Sequence, residues 1–415
     1  MLVGCCNALG FSGNRLVLLC PPVPEGNRGD QALLRAVVDS LVALGYKRID
    51  LVQTSYHPIE AIKSDDVIRI HTKFSTVFDS LLSFKEQIQY ILFLLGSRDV
   101  VLVGCDVLDE GYSKARSNAS LFAMYLASYA ARSARVIGFS VNDTSSPQLY
   151  ERFIALRQRE VGLYARDAVT LKRLEDKNVQ GVQLVGDLAF LLEPASLDDL
   201  EDISLRDFID SNQGKLIGLN FTQGVMGQGP ERDRLFDHFV KACGKLSVDM
   251  NLRFVCIVHD DQGGIEYLQD FHEKLDAAYP GISRITLPMP PASHLKRIAG
   301  QCLHVFTCRL HLGIATLGMG RAVTGFPYQG KFEGQFRHFG LDESGLVPRD
   351  TLPDDADALA ALLRQRIENS DAIAAQVQAS LPAVLDNARK NFTGLQKTST
   401  LQPNQHGLQN AKQGN

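Results

Sequence analysis

Short, nearly all-apolar runs recur along this chain and are separated by segments of helix length, a rhythm that few folds accommodate. Runs at 15–20, 49–53, 100–104, 135–140, 161–165 and 182–187 mark the first half, and others at 215–220, 252–258, 285–287, 302–306 and 322–326 mark the second. A strand with one wet face alternates apolar and polar residues, whereas consecutive apolar positions call for cover on both faces. Helices packed on both sides of a parallel sheet provide that cover. The expected class is therefore α/β, built as doubly wound units.

A chain of 415 residues is too long for one ordinary core, and domains of roughly 150 to 200 residues are the natural division. The rhythm pauses in the acidic, serine-containing stretch 193–211 and then restarts. We expect an N-terminal Rossmann-like domain over 1–205 on the acceptor side and a C-terminal one over 206–345 on the donor side. A helical segment is expected over 346–396. The Gln/Asn/Gly-rich stretch 397–415 has few residues able to enter a core and reads as a disordered tail.

A formal charge of −4 supplies no basic stripe for a nucleic acid. The apolar stretch at 90–95 is far shorter than a bilayer span, which leaves only peripheral association with a membrane open. Residues 1–11 lack the basic start and long apolar run of a secretory signal. Eight cysteines, without a CxxC pair or a Cys/His array, read as reduced thiols of a cytoplasmic protein. Cys308 could serve as a nucleophile only with a base beside it.

Polar residues at the ends of the apolar runs are the candidates for chemistry, because ligands of doubly wound sheets sit at the carboxyl ends of the strands. After the first run, Gly26, Asn27, Gly29 and Asp30 open a helix and suit a phosphate or acceptor loop, or else a tight turn capped by Asp30. Asp106 follows the run at 100–104 and is a candidate general base, with Asp30 its competitor. Asp109 and Glu110 lie nearby, but no third spaced ligand completes a metal set.

Arg166 could grip an anion while Asp167 caps the next helix, and Asp187 could face the cleft or brace Arg166. Arg309 and His311 stand two apart at another strand end, where an extended backbone points both to one side. One offers a fixed cation and the other a proton donor near neutral pH. Tyr328 and Lys331 follow the last run and could contact a substrate or neutralise a leaving phosphate. The polar end His259-Asp260-Asp261 suits substrate contacts or a helix cap and stays outside the catalytic set.

Gly26-Asn27-Arg28-Gly29-Asp30, Arg166-Asp167, Gly186-Asp187, Arg309-Leu310-His311 and the segment 318–331 together resemble, in order, the polysaccharide pyruvyl transferase family. The resemblance implies two Rossmann-like domains in a GT-B-like arrangement and transfer of a pyruvyl group from phosphoenolpyruvate to sugar hydroxyls. It implies that Arg309 and Arg166 clamp phosphoenolpyruvate and that His311 is the general acid, with no metal or other cofactor required. The acceptor would be a sugar or lipid-linked saccharide of a polysaccharide or its precursor. Members often carry a glycine-rich segment where Gly104 meets Cys105 and Asp106 here. That departure leaves a catalytically weak binding member as one rival reading. A GT-B glycosyltransferase using a nucleotide sugar is the other.

Overall fold

The computed structural model describes residues 15–21, 26–53, 67–261, 263–327, 332–341 and 345–395. The tail expected over 397–415 and the candidates Tyr328 and Lys331 lie outside the described residues.

Among those residues the apolar runs form two parallel sheets. The first joins β1 (Arg15–Leu19), β2 (Arg48–Val52), β3 (Ile68–His71), β4 (Asp99–Cys105), β5 (Ser133–Phe139), β6 (Gly162–Ala165) and β7 (Val182–Leu184) in the order β3-β2-β1-β4-β5-β6-β7. The second joins β8 (Leu216–Asn220), β9 (Arg253–Cys256), β10 (Ser283–Ile285), β11 (His304–Thr307) and β12 (Ala322–Gly325) in the order β10-β9-β8-β11-β12. Both are doubly wound, so each has a switch point where connections from adjacent strands leave to opposite faces. In the first sheet that point lies between β1 and β4, and in the second between β8 and β11.

Every residue of β4 and β8 is buried, as consecutive apolar runs require. Strand β3, with the sequence Ile-Arg-Ile-His, is a half-exposed edge whose charged residues hide it from a search for apolar runs.

One hydrophobic core crosses the domain boundary, joining Phe190 and Leu192 from the first half to Leu295 and Leu312 from the second. Polar contacts reinforce it. Lys296 Nζ donates to the carbonyls of Phe190 and Leu192 at 2.9 and 2.6 Å, and Arg297 Nε donates to Ala195 O at 2.7 Å. Burial pushes the Lys296 ammonium down to about 8.

The chain then closes on itself. Helix Ala356–Glu368 buries Leu359 and Leu363 in the core of the second domain, while helix Ser370–Arg389 crosses back to the first. There Asn391 accepts from Gly138 N at 2.9 Å and donates to Gly186 O at 3.0 Å, and Arg135 donates to Thr393 O at 2.8 Å. A Cβ on Gly186 would lie 2.9 Å from Ala388 N, so this crossing requires glycine.

Candidate active site

The residues after β1 and β4 bring acids to the first switch point. Helix Arg28–Ala43 begins beside the cleft, with Asn27 as its cap rather than Asp30. Asn27 Oδ1 accepts from Gly29 N and Asp30 N, and Arg28 N donates to His259 O at 3.0 Å. With those N–H groups engaged, side chains rather than amides are left to address a ligand.

Asp30 lies close to Asp106 and Arg166. An acid in the first helical turn ordinarily benefits from the helix dipole. Here burial, and then the Asp106 charge, push the Asp30 carboxyl up to about 8 against the opposing pull of Arg166. Asp30 can therefore hold or release a proton near neutral pH.

Cys105 ends β4 with φ 47°, in the left-handed region that glycine favours. This chain makes that turn with a buried cysteine.

Arg166 forms the floor. It is 2% exposed, and its guanidinium donates to Asp187 Oδ2 at 3.0 Å and to Ser140 Oγ at 2.9 Å. Asp187 thus braces Arg166. The charges of Asp187 and Asp106 hold the guanidinium above its ordinary range despite burial. Asp167 caps its helix by accepting from Thr170 N at 2.7 Å. His338 Nε2 lies 2.9 Å from Arg166 O, tying the segment after β12 to this floor.

Across the cleft stand Arg309 and His311. Helix Leu310–Gly318 begins immediately after Arg309, so the expected extended alternation does not apply to the pair. The strand ends at Thr307, and Thr307 Oγ1 accepts from Arg309 N at 2.9 Å as the backbone turns into the helix. The two side chains consequently line different spaces. Arg309 borders a cavity of about 530 Å³ with Thr222, Gln223, Gly224, Gln228 and Gly264. His311 borders a narrow gap between the domains with Arg28, His259 and Lys296.

The polar end set aside in the sequence, His259-Asp260-Asp261, organises this side. Asp260 pairs with Arg309, whose Nη2 donates to Oδ1 at 2.8 Å while Nε stands 2.8 Å from Oδ2 without the alignment of a hydrogen bond. Burial, followed by the charges of His311, Arg309 and Arg28, keeps His259 neutral by pushing its imidazole well below the ordinary range. Asp261 N donates to Gly26 O at 2.8 Å, and a Cβ on Gly26, whose φ is 75°, would meet the Asp261 carboxylate at 2.2 Å. Arg28 donates to the carbonyls of Met289 and Pro290, both at 2.7 Å. The segment 26–30 is thus a seam between domains as well as a wall of the cleft. Gly29 is almost as tightly placed as Gly26, since a Cβ there would fall 2.3 Å from His311 Nδ1.

Asp109 and Glu110 are engaged in loop structure: Asp109 accepts from Gly111 N at 2.7 Å, and Glu110 accepts from Ser146 N at 2.7 Å. Among the described residues no group of three His, Cys, Asp or Glu side chains is placed to hold a metal ion. Burial pushes the Cys308 thiol up to about 12, which disfavours the thiolate that a nucleophile needs.

Comparisons with solved structures place the architecture. UDP-GlcNAc 2-epimerase from Neisseria meningitidis, bound to UDP-GlcNAc, superposes with a TM-score of 0.54 at 11% identity, covering 91% of this chain and 97% of that one. UDP-GlcNAc 2-epimerase from Methanocaldococcus jannaschii gives 0.53 at 12% identity over 84% and 92%. Anabaena Alr3699/HepE, in complex with UDP and glucose, gives 0.52 at 12% identity over 90% and 95%. At such identities the likeness establishes the two-domain, GT-B-like fold. No curated protein matches the chain by sequence. The sequence profile of the polysaccharide pyruvyl transferases, however, matches residues 27–330, from the cap of the first cleft helix to the segment after β12. The chain belongs to the polysaccharide pyruvyl transferase family.

Proposed function

We propose that the protein transfers the pyruvyl group of phosphoenolpyruvate to two hydroxyls of a sugar, forming a cyclic ketal and releasing phosphate. The reading is carried by one juxtaposition: an acid with its proton poised near neutrality, Asp30, in the first turn of the helix whose Gly29 lies directly against His311.

Protonation of the methylene carbon gives an oxocarbenium-like centre at C2, and a sugar hydroxyl adds there. The C2–O bond to phosphate then breaks, and the second hydroxyl closes the ketal. The methyl group gains one proton, the two hydroxyls lose theirs, and phosphate leaves with the electron pair of the broken bond.

His311 donates the proton, while Asp30, or Asp106 beside it, accepts one from the attacking hydroxyl. Arg309, at the start of the helix that carries His311, supplies a cation for the donor anion, and Arg166 contributes its fixed charge from the cleft floor. Tyr328 and Lys331 keep their proposed contacts with substrate and leaving phosphate. Asn27, Gly26, Gly29 and Asp187 shape the acceptor side and the floor. Among the described residues the lining of the Arg309 cavity is small and polar, with Thr222, Gln223 and Gln228 beside glycines.

The test is incubation of the full chain with phosphoenolpyruvate and pooled nucleotide- and lipid-linked sugars, followed by mass spectrometry and phosphate assay. A pyruvyl adduct with matching phosphate release is expected. Consumption of a nucleotide sugar without phosphoenolpyruvate would overturn the reading.

A further inference from the structure

Helix Phe84–Leu94 is apolar on both sides. Its inner face buries Tyr90 and Leu94 against the first sheet. Its outer face presents Phe84, Ile88 and Leu92, four residues apart and therefore aligned, at 79%, 44% and 61% exposure. Leu81 extends the stripe at 59%. The outer face of a helix on a water-facing domain is ordinarily polar, so a contiguous stripe of this kind marks a contact surface.

The chemistry around the stripe indicates what covers it. Lys85 on the same helix, Lys114 at the start of the neighbouring helix and Lys73 ahead of both are exposed and form no ion pair among the described residues. The adjacent helix, Lys114–Ala130, carries Lys114 and Arg116 and no acid. Of the nearby carboxylates, Asp79 pairs with Arg116 at 3.1 Å and Glu86 accepts from Ser83 N at 2.8 Å. The stripe exposes on the order of 400 Å², about half of what each partner buries in a stable protein interface. Its 11 residues measure roughly 16 Å, too short to span a bilayer and suited to lying along its surface. Exposed apolar side chains accompanied by ammonium groups match an anionic lipid surface.

The stripe is also aimed at the cleft. Arg116, in the first turn of the helix after β4, pairs with Asp79 just ahead of Leu81 and Phe84, which brings that end of the stripe toward the strand end occupied by Asp106. Exposed Tyr112 spans the rim, its hydroxyl 3.3 Å from Asp106 Oδ2.

We propose that this face docks the protein on an anionic membrane, with Leu81, Phe84, Ile88 and Leu92 entering the interface and the lysines meeting lipid headgroups. Docking itself stands apart from the proposed reaction. That the acceptor is a lipid-linked saccharide, presented from the membrane to the acid side of the cleft, rests on that reaction.

The experiment is flotation of the full chain with phosphatidylglycerol/phosphatidylcholine vesicles and with phosphatidylcholine vesicles alone, without donor or acceptor. The parent is expected to float with the anionic vesicles and to be released as salt rises from about 0.05 to 0.5 M. Phe84→Ser/Leu92→Ser is expected to bind about tenfold less, with unchanged thermal unfolding because both side chains are exposed. Lys85→Glu/Lys114→Glu is expected to lose only the anionic preference. Parent protein that stays in the buffer fraction, or a serine variant that floats like the parent, would overturn the proposal. So would a parent dimer that the serine variant converts to monomer. Failure of pyruvyl transfer would leave docking intact, and failure of docking would leave transfer to a soluble acceptor intact.

Discussion

Asp30 places an unusual demand on the fold. Its carboxyl keeps its proton to about 8 in the native state, whereas an unfolded aspartate releases it near 4. Folding therefore takes up a proton between those values, and this group makes stability fall as pH rises through that window. Asp30→Asn is expected to unfold at a higher temperature than the parent near pH 8, with the advantage shrinking toward pH 4 and turnover lowered throughout. Thermal unfolding and phosphate release across pH check both parts. At Arg309, the pair with Asp260 occupies one edge of the guanidinium, so one planar group can serve both the carboxylate and an incoming anion. Arg309→Lys keeps the charge and loses the fork. A donor KM raised by about tenfold or more, with little change in thermal unfolding, is the expected outcome; unchanged donor use would remove Arg309 from the clamp.

At the scale of elements, most strands were legible because β1, β4 and β8 are runs that only a two-sided cover tolerates. The boundary at Leu310 was not. An apolar strand followed by an apolar helix carries no break in hydrophobicity, so the extended spacing expected of Arg309 and His311 ran past the strand end at Thr307 into the helix. His259, Asp260 and Asp261 were visible as a polar strand end, yet their importance arises from contacts with Arg309, His311 and Gly26, remote in sequence and adjacent only after the domains meet. Helix Arg28–Ala43 takes part in that meeting, and its Gly29 lies directly against His311. Gly29→Ala adds a methyl where His311 stands, and overpacking of this kind costs about 1–3 kcal/mol. It is expected to lower turnover more than donor binding, as steady-state kinetics would resolve; parental turnover would show that His311 has room to move.

At the scale of the molecule, the two domains share a core and are strapped by the returning helix Ser370–Arg389. The sequence offered a helical segment over 346–396 but no sign of which domain each part of it covers, since one apolar stripe suits either sheet. Truncation after residue 369 would remove Val377, Val384, Ala388 and the Asn391 bonds to Gly138 and Gly186. We expect a large loss of stability from that truncation. Deletion of 397–415 is expected to leave thermal unfolding and activity near parental values. Equal loss from the two truncations would show that the tail also docks.

The account turns on proton delivery to carbon across the cleft, and solvent-deuterium labelling tests that step directly. With phosphoenolpyruvate and a competent acceptor in heavy water, the parent should yield a ketal whose methyl group carries one solvent deuterium. His311→Gln, folded and still binding donor, should form that product about 10²–10⁴-fold more slowly. An unlabelled methyl group, or near-parental turnover in His311→Gln, would contradict the account.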